Sequence, residues 1–156
     1  MEKQVTIKQT EASLAFIVLP QDCNPGGTLH GGRYLTLLDE SAYCAAMKFC
    51  RRHILTGQVD GAFTAAVRRG HVIRSLARVI HAGKSNMVVE VNAVAEDMRT
   101  GEFYDCANSY FKCVAVDDET LRPVPIPELV AKTDEEKELL KLGEQLAERF
   151  KSNRSR

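Results

Sequence analysis

The sequence predicts an antiparallel α+β domain in which one long helix is wrapped by a sheet, and three observations carry that prediction. Helical periodicity is confined to two stretches, near 34 to 50 and 134 to 150. Between them lie four runs rich in β-branched and apolar residues, separated by short glycine-bearing breaks, which read as neighbouring antiparallel strands. No segment repeats another, and 156 residues suit one domain and one core.

Taken in order, residues 5 to 19 are apolar and β-branched up to Pro20 and read as a first strand. Residues 20 to 32 hold Pro20, Asp22, Asn24, Pro25, Gly26, Gly27, Gly31 and Gly32, a density of turn formers that only a loop tolerates. From Tyr34 to about Cys50, Leu35, Leu38, Ala42, Ala45, Ala46 and Phe49 recur at helical spacing, with Leu37, Ser41 and Cys44 on the flank. A helix apolar around most of its girth is a buried one, hence the central helix. Strands follow at roughly 54–67, 71–82, 86–98 and 102–117. In the third of these, Met87, Val89, Val91, Ala93 and Ala95 alternate with Glu90, Asn92 and Glu96, which predicts one face on a core and one on water. Pro123, Pro125 and Pro127 enforce an extended exit. A last helix, about 134–150, opens on the capping box Thr133/Glu136 and carries Leu139, Leu142, Leu146 and Phe150 on one stripe.

Composition removes several function classes. Lys and Arg number 21, as do Asp and Glu, so there is no global positive field for sequence-independent nucleic-acid binding. A hydrophobic content of 44% with 27% charged residues excludes wholesale disorder. No uncharged stretch approaches the ~18 apolar residues of a membrane span, and Met1-Glu2-Lys3-Gln4 lacks the basic start and apolar run of a secretory signal, so the cytoplasm is the expected compartment. Five cysteines, Cys23, Cys44, Cys50, Cys106 and Cys113, form no C-x-x-C pair and have no histidine at finger spacing, which points to free thiols and no metal site.

The run Asn24-Pro25-Gly26-Gly27-Thr28-Leu29-His30-Gly31-Gly32, followed by Leu38-Asp39-Glu40-Ser41, resembles the hotdog-fold acyl-CoA thioester hydrolases, both the small bacterial single-domain type and the cytosolic double-hotdog type. Val59-Asp60 with Phe63, Gly70, Gly83-Lys84-Ser85 with Met87, Thr100-Gly101-Glu102 and Val114-Ala115-Val116-Asp117 fall at matching intervals, so the resemblance covers about residues 11 to 127. It differs at Arg68-Arg69 and Gly70-His71, where the family often has a proline and an aspartate, and at Ser85-Asn86, where it has two serines. The resemblance implies a hotdog domain over 1–127 with an added helix and tail over 128–156, and hydrolysis of acyl-CoA to free acid and coenzyme A without metal or prosthetic group. It also implies a homodimer as the minimum unit and a trimer of dimers as the assembly.

The chemistry can be read from the residues. A thioester expels a thiolate whose conjugate acid has a pKa of ~8.5, so hydrolysis needs an activated water and donors for the oxyanion rather than a strong acid. Gly31 and Gly32 open the central helix, where free backbone N–H groups and the positive dipole end polarise a carbonyl. Asp39, in the same mostly apolar helix, is the candidate base; Glu40 is the competing carboxylate and is expected to face solvent or Arg33. Eight residues separate Gly31 from Asp39, or ~12 Å along a helix, too far for both to act on one carbon within one chain. A site shared across a two-fold axis follows, and the resemblance sets Asn24 beside the partner's Asp39. Asn24 is equally a turn residue by its context, and His30 is as well explained by a structural hydrogen bond.

Between Asp60 and Glu90 the chain carries Arg68, Arg69, Arg74, Arg78 and Lys84 without one acid, a basic segment suited to the phosphates of coenzyme A or, residue by residue, to ordinary ion pairs. The candidate substrate-binding set is therefore His30, Thr56, Arg68, Arg74, Arg78, Gly83, Lys84 and Ser85, with Lys84 foremost. Two other functions fit less well. A hotdog hydratase or dehydratase would pair His30 with Asp39, and a non-catalytic acyl-CoA sensor would normally carry a further DNA-binding or partner module.

Overall fold

The computed structural model describes residues 3–154. A five-stranded antiparallel sheet, in the order β2 (Ala12–Ile17), β4 (Val72–Ala82), β5 (Asn86–Glu96), β6 (Phe103–Val116), β3 (His53–Phe63), curls around one helix, α2 (Gly31–Cys50). This is the hotdog arrangement. The small residues Ala42, Ala45 and Ala46, all fully buried, let α2 sit close to the inner face, where it packs with Ile73, Ala77 and Val79 of β4, Met87, Val89 and Val91 of β5, and Phe111 of β6. The polar pair inside this layer satisfies itself: Ser41 Oγ donates to Leu37 O at 2.9 Å and lies 2.6 Å from Ser75 Oγ of β4.

The single first strand expected over 5–19 is in fact three pieces: β1 (Gln4–Thr6), a helical turn α1 (Ile7–Thr10), and β2. A capping box hidden in the β-branched run makes the break, with Thr6 N–H donating to Gln9 Oε1 at 2.8 Å and Gln9 N–H to Thr6 Oγ1 at 3.3 Å. Thr10, fully buried, then accepts Val79 N–H at 2.9 Å where β4 bulges between Val79 and His81. Tertiary contact thus overrides the strand propensity.

The outer sheet face is not left to water as the alternation of β5 predicts. The C-terminal helix α3 (Asp134–Arg154), four residues longer than expected at its end, lays Leu146, Ala147 and Phe150 on Ile80 and Val88. Its approach depends on Gly143, where a Cβ would stand 2.1 Å from Ile80 O. The predicted capping box forms, with Glu136 N–H donating to Thr133 Oγ1 at 3.1 Å. The proline-rich exit leads into β7 (Glu128–Val130), which pairs in parallel with β1. No helix of the described residues is long and apolar enough to cross a membrane.

Candidate active site

The loop before α2 is built around Asn24. Its Oδ1 accepts the N–H groups of Gly26 at 3.0 Å and Thr28 at 3.2 Å, while Nδ2 donates to Thr28 Oγ1 at 2.9 Å. Within this chain Asn24 therefore shapes the turn, with one amide hydrogen left over. Gly27 allows the turn to close at φ +81°. His30 is the N-cap of α2: its Nδ1 accepts Gly32 N–H at 3.0 Å, and its carbonyl accepts Tyr34 N–H at 2.8 Å. The pair of free amides expected at Gly31-Gly32 is thereby reduced to the N–H of Gly31, which has no acceptor among the described residues. Beside it stands an aromatic wall that sequence reasoning missed. Phe63, half exposed at the end of β3, stacks on Tyr34 at 4.4 Å and comes within 3.8 Å of where a Gly31 Cβ would sit. Tyr34 Oη donates to Cys106 O at 2.7 Å, and burial above all drives its pKa upward, so it stays protonated and structural.

Two turns further along α2, Asp39 is half-buried at the margin between the helix and the edge strand β3. Thr56 Oγ1 donates to Asp39 Oδ1 at 2.8 Å, just before the irregularity between Thr56 and Gln58. Thr56, expected among the substrate contacts, is thus the partner of the candidate base. Asp39 Oδ2 has no partner among the described residues, leaving an acceptor for water. Cys113, fully buried close by, is pushed up to about 12 by burial first and by the Asp39 charge second, so it is a thiol and no rival nucleophile. Glu40 is exposed, and Arg33 pairs with Asp22 at 3.1 Å, not with Glu40.

The remaining candidates separate into three groups. Arg74 pairs with Glu96 at 3.1 Å, and Arg78, opposite Glu90 in the ladder, pairs with it at 3.0 Å and with Glu135 at 3.5 Å; these two arginines are answered by carboxylates of their own chain. Gly83, Lys84 and Ser85 form the tight β4–β5 turn, closed by Gly83 N–H to Asn86 O at 2.8 Å, with Lys84 exposed and its ammonium without a carboxylate partner among the described residues. Arg68 lies at the other end of β4, bridged to Thr28 of the Asn24 loop. The fold therefore unites Asp39 with Thr56, and Asn24, His30, Gly31, Gly32 and Arg68 with one another, while Lys84 stands apart.

The Thioesterase superfamily matches residues 26–102. An "Uncharacterized acyl-CoA thioester hydrolase" of Bacillus subtilis is 34% identical over 130 residues, covering 83% of this chain and 75% of the relative. The cytosolic acyl coenzyme A thioester hydrolase of Rattus norvegicus is 32% identical over 141 residues, 88% of this chain; the chain spans only 37% of that relative's length. Among solved structures, the acyl-CoA hydrolase of Staphylococcus aureus, in complex with butyryl coenzyme A, coenzyme A and coenzyme A disulfide, superposes with a TM-score of 0.88 at 29% identity, over 97% of this chain and 92% of that one. Alanine variants of that enzyme at an asparagine, an aspartate and a threonine have also been solved, at positions separated by 15 and 17 residues. Asn24, Asp39 and Thr56 are separated by the same intervals. An apo-hexameric acyl-CoA thioesterase superposes with a TM-score of 0.90 at 29% identity, over 97% of each chain.

Proposed function

This chain belongs to the thioesterase superfamily, and on that premise we propose that it hydrolyses acyl-CoA thioesters to the free acid and coenzyme A, with Asp39 as the general base. One observation carries the assignment: Asp39 is oriented by Thr56 through one oxygen while the other is free for water. Asp39 takes a proton from that water as its oxygen bonds to the thioester carbon. The carbonyl oxygen gains charge against the N–H of Gly31 at the positive end of α2, which is worth most where solvent is thin. Collapse breaks the carbon–sulfur bond, and the departing thiolate recovers the proton held by Asp39 or takes one from solvent. The free Asn24 amide hydrogen sits in the loop that presents Gly31 and supplies a second donor to carbonyl or water.

The eight-residue interval between Gly31 and Asp39, ~12 Å along α2, supports a site shared between protomers. So does β3, which among the described residues pairs on one side only, with β6, and exposes Leu55, Val59 and Phe63 along the edge that runs from Asp39 to Gly31. The hexameric neighbour supports a trimer of such dimers. His30 is spent as an N-cap through Nδ1, which favours hydrolysis over a hydratase that would need it as a base.

The test is thiol release from short-, medium- and long-chain acyl-CoAs. Release that falls about 10²-fold or more in Asp39→Asn supports the assignment; no release from any of them overturns it. Mixing an Asn24→Ala, Gly31→Val protein with an Asp39→Asn protein restores one intact site per heterodimer if the site is shared. No recovery after verified subunit exchange places the site within one chain.

A further inference from the structure

Two tight turns meet at the end of the sheet away from Lys84. The first, Arg68 to His71, leads into β4; Gly70 adopts φ +87°, and His71 N–H donates to Arg68 O at 3.1 Å. The second, Asp97 to Gly101, joins β5 to β6; Gly101 adopts φ +73° and donates to Asp97 O at 2.8 Å. His71 ties them together, its Nδ1 2.9 Å from Tyr104 Oη and its Nε2 3.6 Å from the Asp97 carboxylate. Between the turns lies a cavity of about 520 Å³ lined by Arg68, Arg69 and Arg99, with Asp97 as its lone carboxylate.

The charge at this cavity is unbalanced. None of the three guanidiniums has a carboxylate partner among the described residues, in contrast to Arg74 and Arg78 on the strand between. Asp97 is already engaged, accepting Arg99 N–H at 2.9 Å as well as facing His71, and the Arg99 hydrogen bond first among its contacts holds its carboxyl below the usual range. It is an anion at neutral pH, and it still leaves three arginines against one carboxylate. Like charges held together cost stability, a cost that an arriving polyanion removes, and the planar guanidinium fork matches phosphate oxygens in pairs.

The cavity is also coupled to the site. Arg69 N–H donates to Gly27 O at 3.2 Å, Leu29 N–H to Val67 O at 2.8 Å, and Arg68 bridges Thr28, three residues before Gly31. Lys84 lies at the far end of β4, whose 11 residues span ~36 Å, so the two basic regions of one chain cannot hold the same phosphate. We propose that Arg68, Arg69 and Arg99 bind the phosphate groups at the nucleotide end of the thioester substrate whose carbonyl lies at Gly31 of the same chain. This rests on the acyl-CoA reading above and shifts the phosphate contact from Lys84 to a cavity that includes Arg99, a residue outside the basic segment.

The experiment uses the full chain carrying Arg68→Gln, Arg69→Gln and Arg99→Gln, assayed on an acyl-CoA and on the same acyl group carried by pantetheine. KM for the acyl-CoA rises about 10- to 100-fold with kcat within about twofold, and the pantetheine thioester is hydrolysed as by the unaltered protein. Arg→Lys replacements recover part of the loss. Adenosine 3′,5′-bisphosphate, followed by calorimetry, binds the unaltered protein, competes with acyl-CoA and does not bind the triple variant. An unchanged KM for acyl-CoA overturns the proposal, as does equal impairment on both thioesters. Bisphosphate binding that needs the arginines but does not compete with acyl-CoA also overturns it, assigning the cavity to a separate phosphate ligand. If the triple variant does not fold, Arg69→Gln and Arg99→Gln singly, both on exposed turns, give the same readouts at smaller amplitude. Should the unaltered protein hydrolyse no thioester, the functional reading fails, while the bisphosphate titration still decides the cavity.

Discussion

The two long helices are nearly equal in length, 20 residues in α2 and 21 in α3, yet they bear on different properties of the molecule. α2 packs its apolar face inside the sheet, and the polar side chains on or beside that face have partners on neighbouring strands: Ser41 with Ser75 and Asp39 with Thr56. Among the described residues, the two atoms that the proposed mechanism uses, the N–H of Gly31 and Asp39 Oδ2, are left without a partner. α3 is covered on one side only. Its outward charges pair along its own surface, as Lys141 does with Glu138 at 3.1 Å, interactions worth a few tenths of a kcal/mol each. Enclosure raises the energetic cost of each polar atom, which makes an unpaired one informative; on the exposed helix the same observation carries no weight.

The sharpest way to break this contrast is Asp39→Asn. The proposed role predicts a turnover loss of about 10²-fold or more with a melting temperature unchanged, because the amide keeps the volume and the bond from Thr56. A stability loss with turnover intact would make Asp39 a structural residue and erase the distinction between the helices. In α3 the largest expected effect is on stability alone. Gly143→Ala puts a Cβ 2.1 Å from Ile80 O, and forcing the helix off β4 is expected to cost about 1–3 kcal/mol in denaturant unfolding, with kcat per folded molecule unaltered.

Glu136 comes next, because it fastens α3 to the N-terminal turn. Its carboxylate accepts the N–H groups of Lys132 at 2.6 Å, Thr133 at 3.3 Å and Lys8 at 3.0 Å. These bonds, that of Lys132 foremost, hold its carboxyl below the usual range. A group with a depressed folded-state pKa contributes stability fully above the ordinary carboxylate value of ~4.3 and loses it as the pH falls through the folded value. Unfolding free energy measured from pH 7 down to 3 should therefore decline more steeply in the unaltered protein than in Glu136→Gln, which starts about 1–2 kcal/mol lower. The smallest effect is expected at Glu135→Gln: Arg78 keeps its buried partner Glu90, so the change should stay under about 0.5 kcal/mol and leave KM untouched. A raised KM there would reopen Arg78 as a ligand contact.

Several of these features were legible in the sequence and several were not, for identifiable reasons. The central helix, the four long strands and the Thr133/Glu136 cap all follow from local pattern, because periodicity and capping are properties of neighbours in the chain. The turn at Ile7–Thr10 escaped, since its cap lies within residues of high strand propensity and its last member, Thr10, is fixed by Val79, 69 positions away. For Arg74 and Arg78, in an acid-free segment, the sequence left phosphate binding and ion pairing both open; the carboxylates that answer them arrive from β5 and α3.

By itself, the sequence determined the two long helices, the four long strands, the buried stripe of α2 and the residue types on which the proposed hydrolysis rests, because each is written in spacing along the chain. Only the tertiary structure decided which polar groups are already satisfied: that Gly32 is taken by His30 and Gly31 is not, that Thr56 orients Asp39, that α3 covers the outer face, and that Arg99 joins Arg68 and Arg69. The reason is physical. A hydrogen bond or ion pair is a matter of a few ångströms in space, and the partners that settle these cases lie on strands and turns that only the closing of the sheet brings together.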